Sequence, residues 1–247
     1  KINVDEITAS SRKYPGIIFK QARDAGNQVL SVQSISKNLN GEPLFNNLTF
    51  EVNRGDKIAF ISKSGLATTT LFQVLVDEQK ADSGHFTYGQ TITTAYLPTE
   101  NGHYFNTKEN LIDWLREYSE DKSEIYIRGF LGKMLFTGEE VFKSASVLSG
   151  GEKVRCMLSR MMLNEANLLI IDEPTNHLDL ESIQAFNNGL KDFDGTVLFT
   201  SHDHTFVQTV ANRIIEIGPN GFIDKLMEYD QYIDDPRVAE QQAKLYA

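Results

Sequence analysis

A short run of motifs between residues 148 and 179 constrains the fold of this chain more than any other stretch. Ser149 stands where a helix N-cap is expected, and Glu152 three positions later completes a capping box. Gly150 and Gly151 allow a phosphate or another backbone to approach the free amides at the start of the helix. We therefore predict a helix whose N-terminus faces an anion. Apolar residues recur at helical spacing along it and predict one buried face: Val154, Met157, Leu158, Met161 and Met162.

The second part of this run predicts a buried strand that ends in two carboxylates. Four consecutive aliphatic residues at positions 168–171 suit a strand that is covered on both faces of a parallel sheet. Asp172 and Glu173 follow at once, at the end of the strand where open α/β sheets bind their ligands. Adjacent carboxylates also occur in solvated loops, but the buried strand before them argues against that interpretation. The arrangement suggests Mg²⁺ and nucleotide chemistry.

Composition and charge narrow the class of protein. The 247 residues suffice for a sizeable core, and the net charge of −10 argues against broad nonspecific nucleic-acid binding by the whole domain. The one cysteine, Cys156, excludes an intrachain disulfide, and we expect it to be a buried, inert residue. No stretch approaches the roughly 18–20 apolar residues of a membrane span, and the polar start has no signal-peptide pattern. We expect a cytoplasmic protein without a membrane partner and, because residue 1 is Lys, a fragment of a longer chain.

The two motifs together resemble those of a known family. The sequence LSGGE at 148–152, the run LLIIDEPTNHLD at 168–179 and the later His202 are similar to an ATP-binding-cassette (ABC) ATPase domain. The forms LSGGEKVR and EPTNHLD resemble the ABC-F branch, which comprises soluble tandem-domain ATPases that act on ribosomes. The resemblance extends over roughly residues 8–235.

The resemblance implies an α/β fold of the P-loop NTPase type. In the ABC form of this fold, an N-terminal antiparallel β subdomain and a small inserted α-helical subdomain accompany the main sheet. We expect residues 1–28 to be the end of an interdomain linker with no clear core element, 29–235 to be the ATPase domain, and 236–247 to be a surface helix or frayed tail. Within the domain we expect a hairpin over 29–52 with its turn at 41–43, and the helical subdomain at about 106–147.

The phosphate loop departs from the pattern that the family uses. That pattern, G-x-x-x-x-G-K-[ST], cradles phosphate with backbone amides and places a lysine on the β/γ oxygens. Aligned on Gly65, this chain has Ser62 for the first glycine, Ala67 for the second and Thr68 for the lysine, and it keeps the hydroxyl as Thr69. The whole candidate nucleotide-binding segment is Ser62, Lys63, Ser64, Gly65, Leu66, Ala67, Thr68, Thr69 and Thr70. Losing one donor to a developing oxyanion costs about 10²–10³ in rate, so we expect weak turnover while binding persists.

Two smaller points concern this segment and the adenine. Lys63 either turns back to a phosphate or is a surface lysine, and the second interpretation is favoured because that position usually points outward in such loops. At the position where family members often place an aromatic residue on adenine, this chain has Leu39. Leu39 offers apolar contact without stacking, so we expect weak adenine recognition.

The resemblance assigns the remaining roles residue by residue. ATP is the implied nucleotide and Mg²⁺ the implied cofactor, with Thr69, Asp172 and Thr99 as the metal site. Members of the family usually have a glutamine near the position of Thr99, and this chain has none there. Glu173 is the implied general base, and His202, at the end of the strand 196–200, is the implied switch residue on the γ-phosphate. A structural histidine is the alternative for His202.

The resemblance also implies partners. Ser149, Gly150, Gly151 and Glu152 are expected to serve the site of a partner domain, which is the other ABC domain of the same chain or a second copy in a dimer. The ribosome, with rRNA and tRNA, is the expected larger partner. Arg12 and Lys13 belong to a basic segment that either approaches RNA phosphate or is a solvated tether. Trp114 is either part of a core stripe or a docking surface, and the core is favoured.

Three functions remain open on the sequence alone. The first is an ATP-hydrolysing half of a tandem ABC-F protein that couples closure to ribosome binding and release in translation or antibiotic protection. The second is a catalytically impaired scaffold that donates LSGGE to its partner. The third is the ATP-binding subunit of an ABC transporter, against which the ABC-F form of the motifs argues.

Overall fold

The computed structural model describes residues 13–247, and Arg12 of the expected basic arm lies outside them. Short aliphatic runs form the strands, and amphipathic segments between them form the helices. The strands are β1 Gln28–Leu39, β2 Glu42–Asn53, β3 Lys57–Ile61, β4 Ser83–Tyr88, β5 Thr94–Leu97, β6 Leu168–Asp172, β7 Thr196–Thr200, β8 Arg213–Gly218 and β9 Gly221–Lys225. The α-helices are α1 Gly65–Leu75, α2 Leu111–Arg116, α3 Glu124–Lys133, α4 Gly150–Asn164, α5 Leu180–Lys191, α6 His204–Val210, α7 Tyr229–Asp234 and α8 Pro236–Leu245.

The larger sheet has six strands in the order β5-β6-β7-β3-β8-β9. All neighbours in it are parallel except β8 and β9, which form an antiparallel hairpin. The central strands β6 and β7 are buried along their whole length, as their aliphatic sequences predict. Because β6, β7 and β3 are adjacent and parallel, the loops after them meet at one edge of the sheet.

The smaller sheet is antiparallel and has the order β2-β1-β4. The hairpin β1–β2 confirms the predicted strand pair, but the predicted turn at 41–43 is wrong. Leu39 pairs with Glu42, so Asn40 and Gly41 form the turn, and both have left-handed backbone angles with φ of 51° and 87°. A two-residue turn of this kind matches the twist of the strands, and it favours Asn-Gly.

The helical subdomain between β5 and β6 is built on buried aromatic residues. Trp114 is 1% exposed, stacks on Phe105 with ring centroids 4.7 Å apart, and donates its Nε1–H to the Tyr104 carbonyl at 2.7 Å. The core interpretation of Trp114 is therefore confirmed. Cys156 in α4 is also buried, and burial raises the pKa of its thiol, as expected of an inert residue.

The segment before β1 contacts the core, which the sequence did not predict. Ile17 and Phe19 are buried, and the Phe19 ring packs edge-on against Phe186 and Phe193 with centroids about 6 Å apart. The Gly16 amide donates to a carbonyl in the helical subdomain. The expectation that this stretch has no core element is wrong for residues 15–19, because alternate side chains there point inward although no strand forms.

The last helix is ordered against the sheet. Val238 and Leu245 of α8 are buried beside β9, so the alternative of a frayed tail is wrong for this segment and the surface helix is confirmed. None of the helices in residues 13–247 is both long and apolar enough to cross a membrane.

The packing of Phe19 generates a test of stability. Phe19→Ala removes a buried ring between two aromatic partners, so we expect the free energy of unfolding to fall by about 3 kcal/mol. The neighbouring Ile18→Ala is the matched control, because Ile18 is 60% exposed and its loss leaves no cavity. Denaturant titration measures both, and equal changes in the two variants would contradict a core role for Phe19.

Candidate functional site

The candidate site lies where the loops after β3, β6 and β7 meet. A cavity of about 110 Å³ opens there, smaller than the roughly 300–1,000 Å³ of typical ligand pockets, so it encloses only part of a nucleotide. The structure brings Ser62, Gly65 and Thr68 of the phosphate loop together with Glu173 and His202. The full lining is Phe60, Ile61, Ser62, Gly65, Thr68, Glu173, Thr200, Ser201, His202, His204, Val207 and Tyr229.

Asp172 is the most buried charged group at this edge, with 1% exposure. Its Oδ2 accepts the Thr69 hydroxyl at 2.7 Å, and its Oδ1 accepts the Thr200 hydroxyl at 2.8 Å. These bonds offset part of the cost of burying a carboxylate. They also join α1, β6 and β7 at a single side chain. Thr99 lies at the same place, where its hydroxyl donates to the Asp172 carbonyl at 3.2 Å.

Thr69 and Asp172 fit the chemistry of Mg²⁺. Both offer hard oxygen donors, and this ion is usually held by one or two protein oxygens together with water and phosphate. Thr99 reaches only the backbone of Asp172, so its own link to a metal is less direct. Thr69 and Asp172 are therefore the residues that would hold the ion.

Glu173 adopts a left-handed backbone conformation, with φ of 48° and ψ of 56°. For a residue with a side chain this conformation costs about 1–3 kcal/mol, and such strain is often found at functional sites. The Glu173 amide donates to the Thr200 hydroxyl at 2.9 Å, which helps to hold the turn. Its side chain is directed into the cavity instead of continuing along the strand.

The Glu173 carboxylate lies against His202. The His202 amide donates to Glu173 Oε2 at 3.3 Å, and His202 Nε2 is 3.4 Å from Oε1. Burial raises the pKa of Glu173, and His202 opposes this shift in part. The His202 side chain is 78% exposed, so the ring is accessible at the mouth of the cavity while the carboxylate is mostly covered.

The phosphate loop offers backbone groups and hydroxyls without a cation. Among the described residues that line the cavity, none is Lys or Arg. Thr68 is 3% exposed, and its hydroxyl donates to the Gly65 carbonyl within the first turn of α1. The Ser62 hydroxyl likewise donates to the Ser64 carbonyl, so both hydroxyls bond to backbone groups of the loop itself.

The remaining residues of the phosphate loop do not line the cavity. Ala67 and Thr70 are buried in α1, Leu66 is 48% exposed, and Ser64 is the N-cap of the helix. The ammonium group of Lys63 lies 4.1 Å from the centre of the Tyr246 ring, outside the cavity. This agrees with the outward orientation expected of Lys63.

The LSGGE motif forms a separate surface. Ser149 is the N-cap of α4, its amide donates to Glu152 Oε2 at 2.8 Å, and the predicted capping box is confirmed. This bond and Lys143 hold the pKa of Glu152 below its usual range. A side chain at Gly151 would place its Cβ 2.7 Å from the His177 carbonyl. The backbone of His177, in the same chain, therefore makes the close approach that the glycines allow.

Two of the predicted groups lie away from the cavity, and the metal candidates Thr69, Asp172 and Thr99 are not in its lining either. Of the signature motif, Ser149, Gly151 and Glu152 border a different depression, together with Arg155 and residues 177–179. Leu39 ends β1 on the antiparallel sheet with 42% exposure and is not in the cavity lining. Their predicted roles concern a partner domain and the adenine, and both stay predictions.

Two residues that sequence analysis did not name support the site and its phosphate loop. Thr200 binds Asp172 and the Glu173 amide, and the signal for it was its position as the last residue of a strand beside β6. Tyr246 contacts Lys63 although the two residues are 183 positions apart in the sequence, and nothing in the local sequence indicates this contact.

Comparison with known proteins agrees with this geometry. A family model described as "ABC transporter" matches residues 45–176, which is more than half of the chain. The chain belongs to the ABC transporter family. The match extends through the phosphate loop, the LSGGE motif and the Asp172-Glu173 strand end of this ABC domain.

Curated relatives of this ABC domain include members named as ABC-F proteins. The "Uncharacterized ABC transporter ATP-binding protein YkpA" of Bacillus subtilis (strain 168) is 56% identical over 249 residues, covering 100% of this chain and 46% of YkpA. "ABC transporter F family member 5" of Arabidopsis thaliana is 29% identical, covering 93% of this chain and 34% of that protein. "Energy-dependent translational throttle protein EttA" of Escherichia coli (strain K12) is 29% identical, covering 84% and 39%. The chain thus spans less than half the length of these relatives.

The fold is that of solved ABC ATPase domains. A dimeric structure of the ATP-binding cassette MJ0796 in a post-hydrolysis state, bound to ADP and Pi, has a TM-score of 0.67 at 14% identity, and the match covers 81% of this chain and 99% of that one. The expected fold class, an ABC-type α/β domain with an antiparallel β subdomain and a helical insertion, is confirmed.

The raised pKa of Glu173 generates a test of stability against pH. The folded state holds the proton of this carboxyl more tightly than the unfolded chain, so the ionised group costs stability above its raised pKa. That cost disappears below the ordinary value of 4.5. We expect Glu173→Gln to raise the free energy of unfolding at pH 8, and the gain to shrink towards zero as the pH falls to 4.

The control for this test is Glu139→Gln, because Glu139 is exposed in the helical subdomain. Denaturant titrations at several pH values measure both variants, and the control is expected to show no such pH-dependent gain. A Glu173→Gln gain that is the same at pH 4 and pH 8 would contradict the burial of an ionised carboxylate at this position.

Proposed function

We propose that this ABC domain binds and hydrolyses ATP as one half of a soluble tandem ABC-F protein. In this proposal, nucleotide-driven closure of the two halves is coupled to ribosome binding and release in translation or antibiotic protection. The observation that carries the proposal is the strand end at Asp172 and Glu173. There, hydroxyls from two neighbouring elements hold one carboxylate while the second carboxylate faces His202 in the cavity.

Each candidate residue has a role in this proposal. Glu173 is the general base that accepts a proton from the attacking water, and burial raises its pKa, which makes the carboxylate a stronger base. His202, exposed at the mouth of the cavity, contacts the terminal phosphate. Thr69 and Asp172 would hold Mg²⁺, whose chemistry when bound is to neutralise charge on the phosphates. Leu39 contributes apolar contact to the adenine.

The phosphate loop makes turnover in this half weak. The helix α1 begins at Gly65, so free amides at its N-terminus remain available to phosphate. The lysine that would add a charged donor is replaced by Thr68, whose hydroxyl bonds within the helix. A hydrogen bond to a charged group contributes about 1.5–3 kcal/mol, and the loop forgoes that contribution.

The LSGGE surface serves a partner in this proposal. Ser149, Gly150 and Gly151 lie at the start of α4, away from the cavity of the same chain. The N-terminus of a 15-residue helix favours an anion, so this surface suits the γ-phosphate held by a second ABC domain. That domain is the other half of the same protein or a second copy.

The ABC-F assignment and the ribosomal partner are supported by the relatives. One is named as an ABC transporter F family member and one as a translational throttle protein. The EPTNHLD form of the strand end and the LSGGEKVR form of the signature resemble the same branch. A cytoplasmic location follows from a ribosomal role and is part of the proposal.

A second candidate function is favoured by the phosphate loop itself. The described residues that line the cavity include no Lys or Arg, and the capping box at Ser149 is intact. Both features suit a scaffold that donates LSGGE and turns over little ATP. The two functions share the fold and the partner, and they differ in whether Glu173 acts on ATP.

Glu173→Gln separates the two functions in the protein that carries this domain. If this half hydrolyses ATP, removing the base is expected to lower the ATP turnover assigned to this half by about 10²–10⁴-fold. The variant is also expected to cosediment with ribosomes in the presence of ATP more than the wild type does, because the closed state persists.

The control is Glu139→Gln, an exposed carboxylate outside the cavity, which is expected to leave both quantities at the wild-type level. Unchanged turnover in Glu173→Gln would support the scaffold. Unchanged turnover together with no ATP-dependent cosedimentation would contradict the ribosomal proposal.

A further inference from the structure

A buried carboxylate lies behind the phosphate loop, outside the candidate site. Glu216 on β8 is 4% exposed and accepts three hydrogen bonds from elements near the end of the chain. Tyr232 Oη and Gln242 Nε2 each donate to Oε2 at 2.7 Å, and Tyr246 Oη donates to Oε1 at 2.8 Å. Because a buried charge needs such partners, the carboxylate fixes α7, α8 and Tyr246 against the sheet.

Tyr246 connects this carboxylate to the phosphate loop. Its hydroxyl oxygen accepts the backbone N–H of Lys63 at 3.2 Å, and the hydroxyl donates to Glu216 Oε1, with the Ile217 carbonyl as a second acceptor at 3.2 Å. The Lys63 ammonium lies over the ring of the same tyrosine at 4.1 Å. One side chain therefore contacts both the backbone and the side chain of a loop residue.

The contacts from Glu216 through Tyr246 reach the phosphate loop directly after the end of β3. Glu216 pairs in register with Ile61, the last residue of β3, and Lys63 follows two positions later. The approach of the C-terminal segment is close: a side chain at Gly218 would place its Cβ 2.8 Å from both Leu245 and Tyr246. Glycine at this position lets Tyr246 lie against the strand that neighbours β3.

We propose that Tyr246 is a positioning residue for the phosphate loop, through which the C-terminal helix α8 influences nucleotide affinity. This rests on the proposed function, in which the loop binds nucleotide phosphates. Since Thr68 supplies no charge, the backbone amides at the start of α1 carry the phosphate contact. Amides bind better when they are held in place before the ligand arrives, and Tyr246 restrains the loop residue Lys63 two positions before Gly65.

The matched pair Tyr246→Phe and Tyr232→Phe tests this role in the full chain. Each variant removes one hydroxyl donor to Glu216, but only Tyr246→Phe also removes the acceptor of the Lys63 amide and a longer contact to the Ile217 carbonyl. A neutral hydrogen bond contributes about 0.5–1.5 kcal/mol, so MgADP is expected to bind about threefold to tenfold more weakly to Tyr246→Phe. Tyr232→Phe is expected to stay within twofold of the wild type.

Hydrogen exchange without nucleotide is the second readout. The amides of residues 65–67 are expected to exchange faster in Tyr246→Phe than in Tyr232→Phe, although both variants lose a hydrogen bond to Glu216. Equal weakening of MgADP binding in the two variants would overturn the proposal, because the effect would then come from Glu216 alone. Wild-type affinity and wild-type exchange in Tyr246→Phe would also overturn it.

The two proposals fail in different ways. If MgADP binds to none of the three proteins, the proposed function fails for this chain. The exchange comparison, which needs no ligand, then decides the positioning role by itself: faster loop exchange only in Tyr246→Phe supports it, and equal exchange overturns it.

Discussion

The Asp172 carboxylate and its two hydroxyl donors are the interaction on which the rest of the site depends. A carboxylate with 1% exposure is costly unless its oxygens are paired, and Thr69 and Thr200 pair both of them. Because these donors come from α1 and β7, the bonds hold the start of the phosphate helix beside the ends of two parallel strands. Glu173 then follows in a strained conformation, held by the same threonine of β7, with its carboxylate directed into the cavity.

Much of this arrangement could be predicted from local sequence. The apolar runs at 168–171 and 196–200 gave the buried strands, and the Ser149–Glu152 spacing gave the capping box, because burial and capping depend on residues close together in the chain. The contacts of Phe19 and Tyr246 could not be predicted. They depend on where distant segments pack, and the apolar run at 17–19 does not show from sequence which of its side chains point inward.

The structure separates two surfaces that the sequence presents as one run of motifs. Glu173, at the end of the β6 strand, lines a cavity of its own chain with the buried Asp172 directly before it, whereas the LSGGE helix start borders a depression with residues 177–179. The first surface has its carboxylates and hydroxyls in contact, but the described cavity lining has no cation. Lys63, the one cation of the segment 62–70, lies over Tyr246. Under the proposed function, this cavity lacks one positive charge, at position 68.

Restoring that charge tests the proposed role of Thr68 most directly. Thr68 lines the cavity, so a lysine introduced there adds its charge at the proposed phosphate site. Thr68→Lys is expected to tighten MgATP binding to this chain by at least about tenfold, since a charged hydrogen bond contributes about 1.5–3 kcal/mol. Thr68→Met, of similar length and without charge, is expected to give no such gain. Wild-type affinity that already equals that of Thr68→Lys, measured by equilibrium dialysis, would contradict the account.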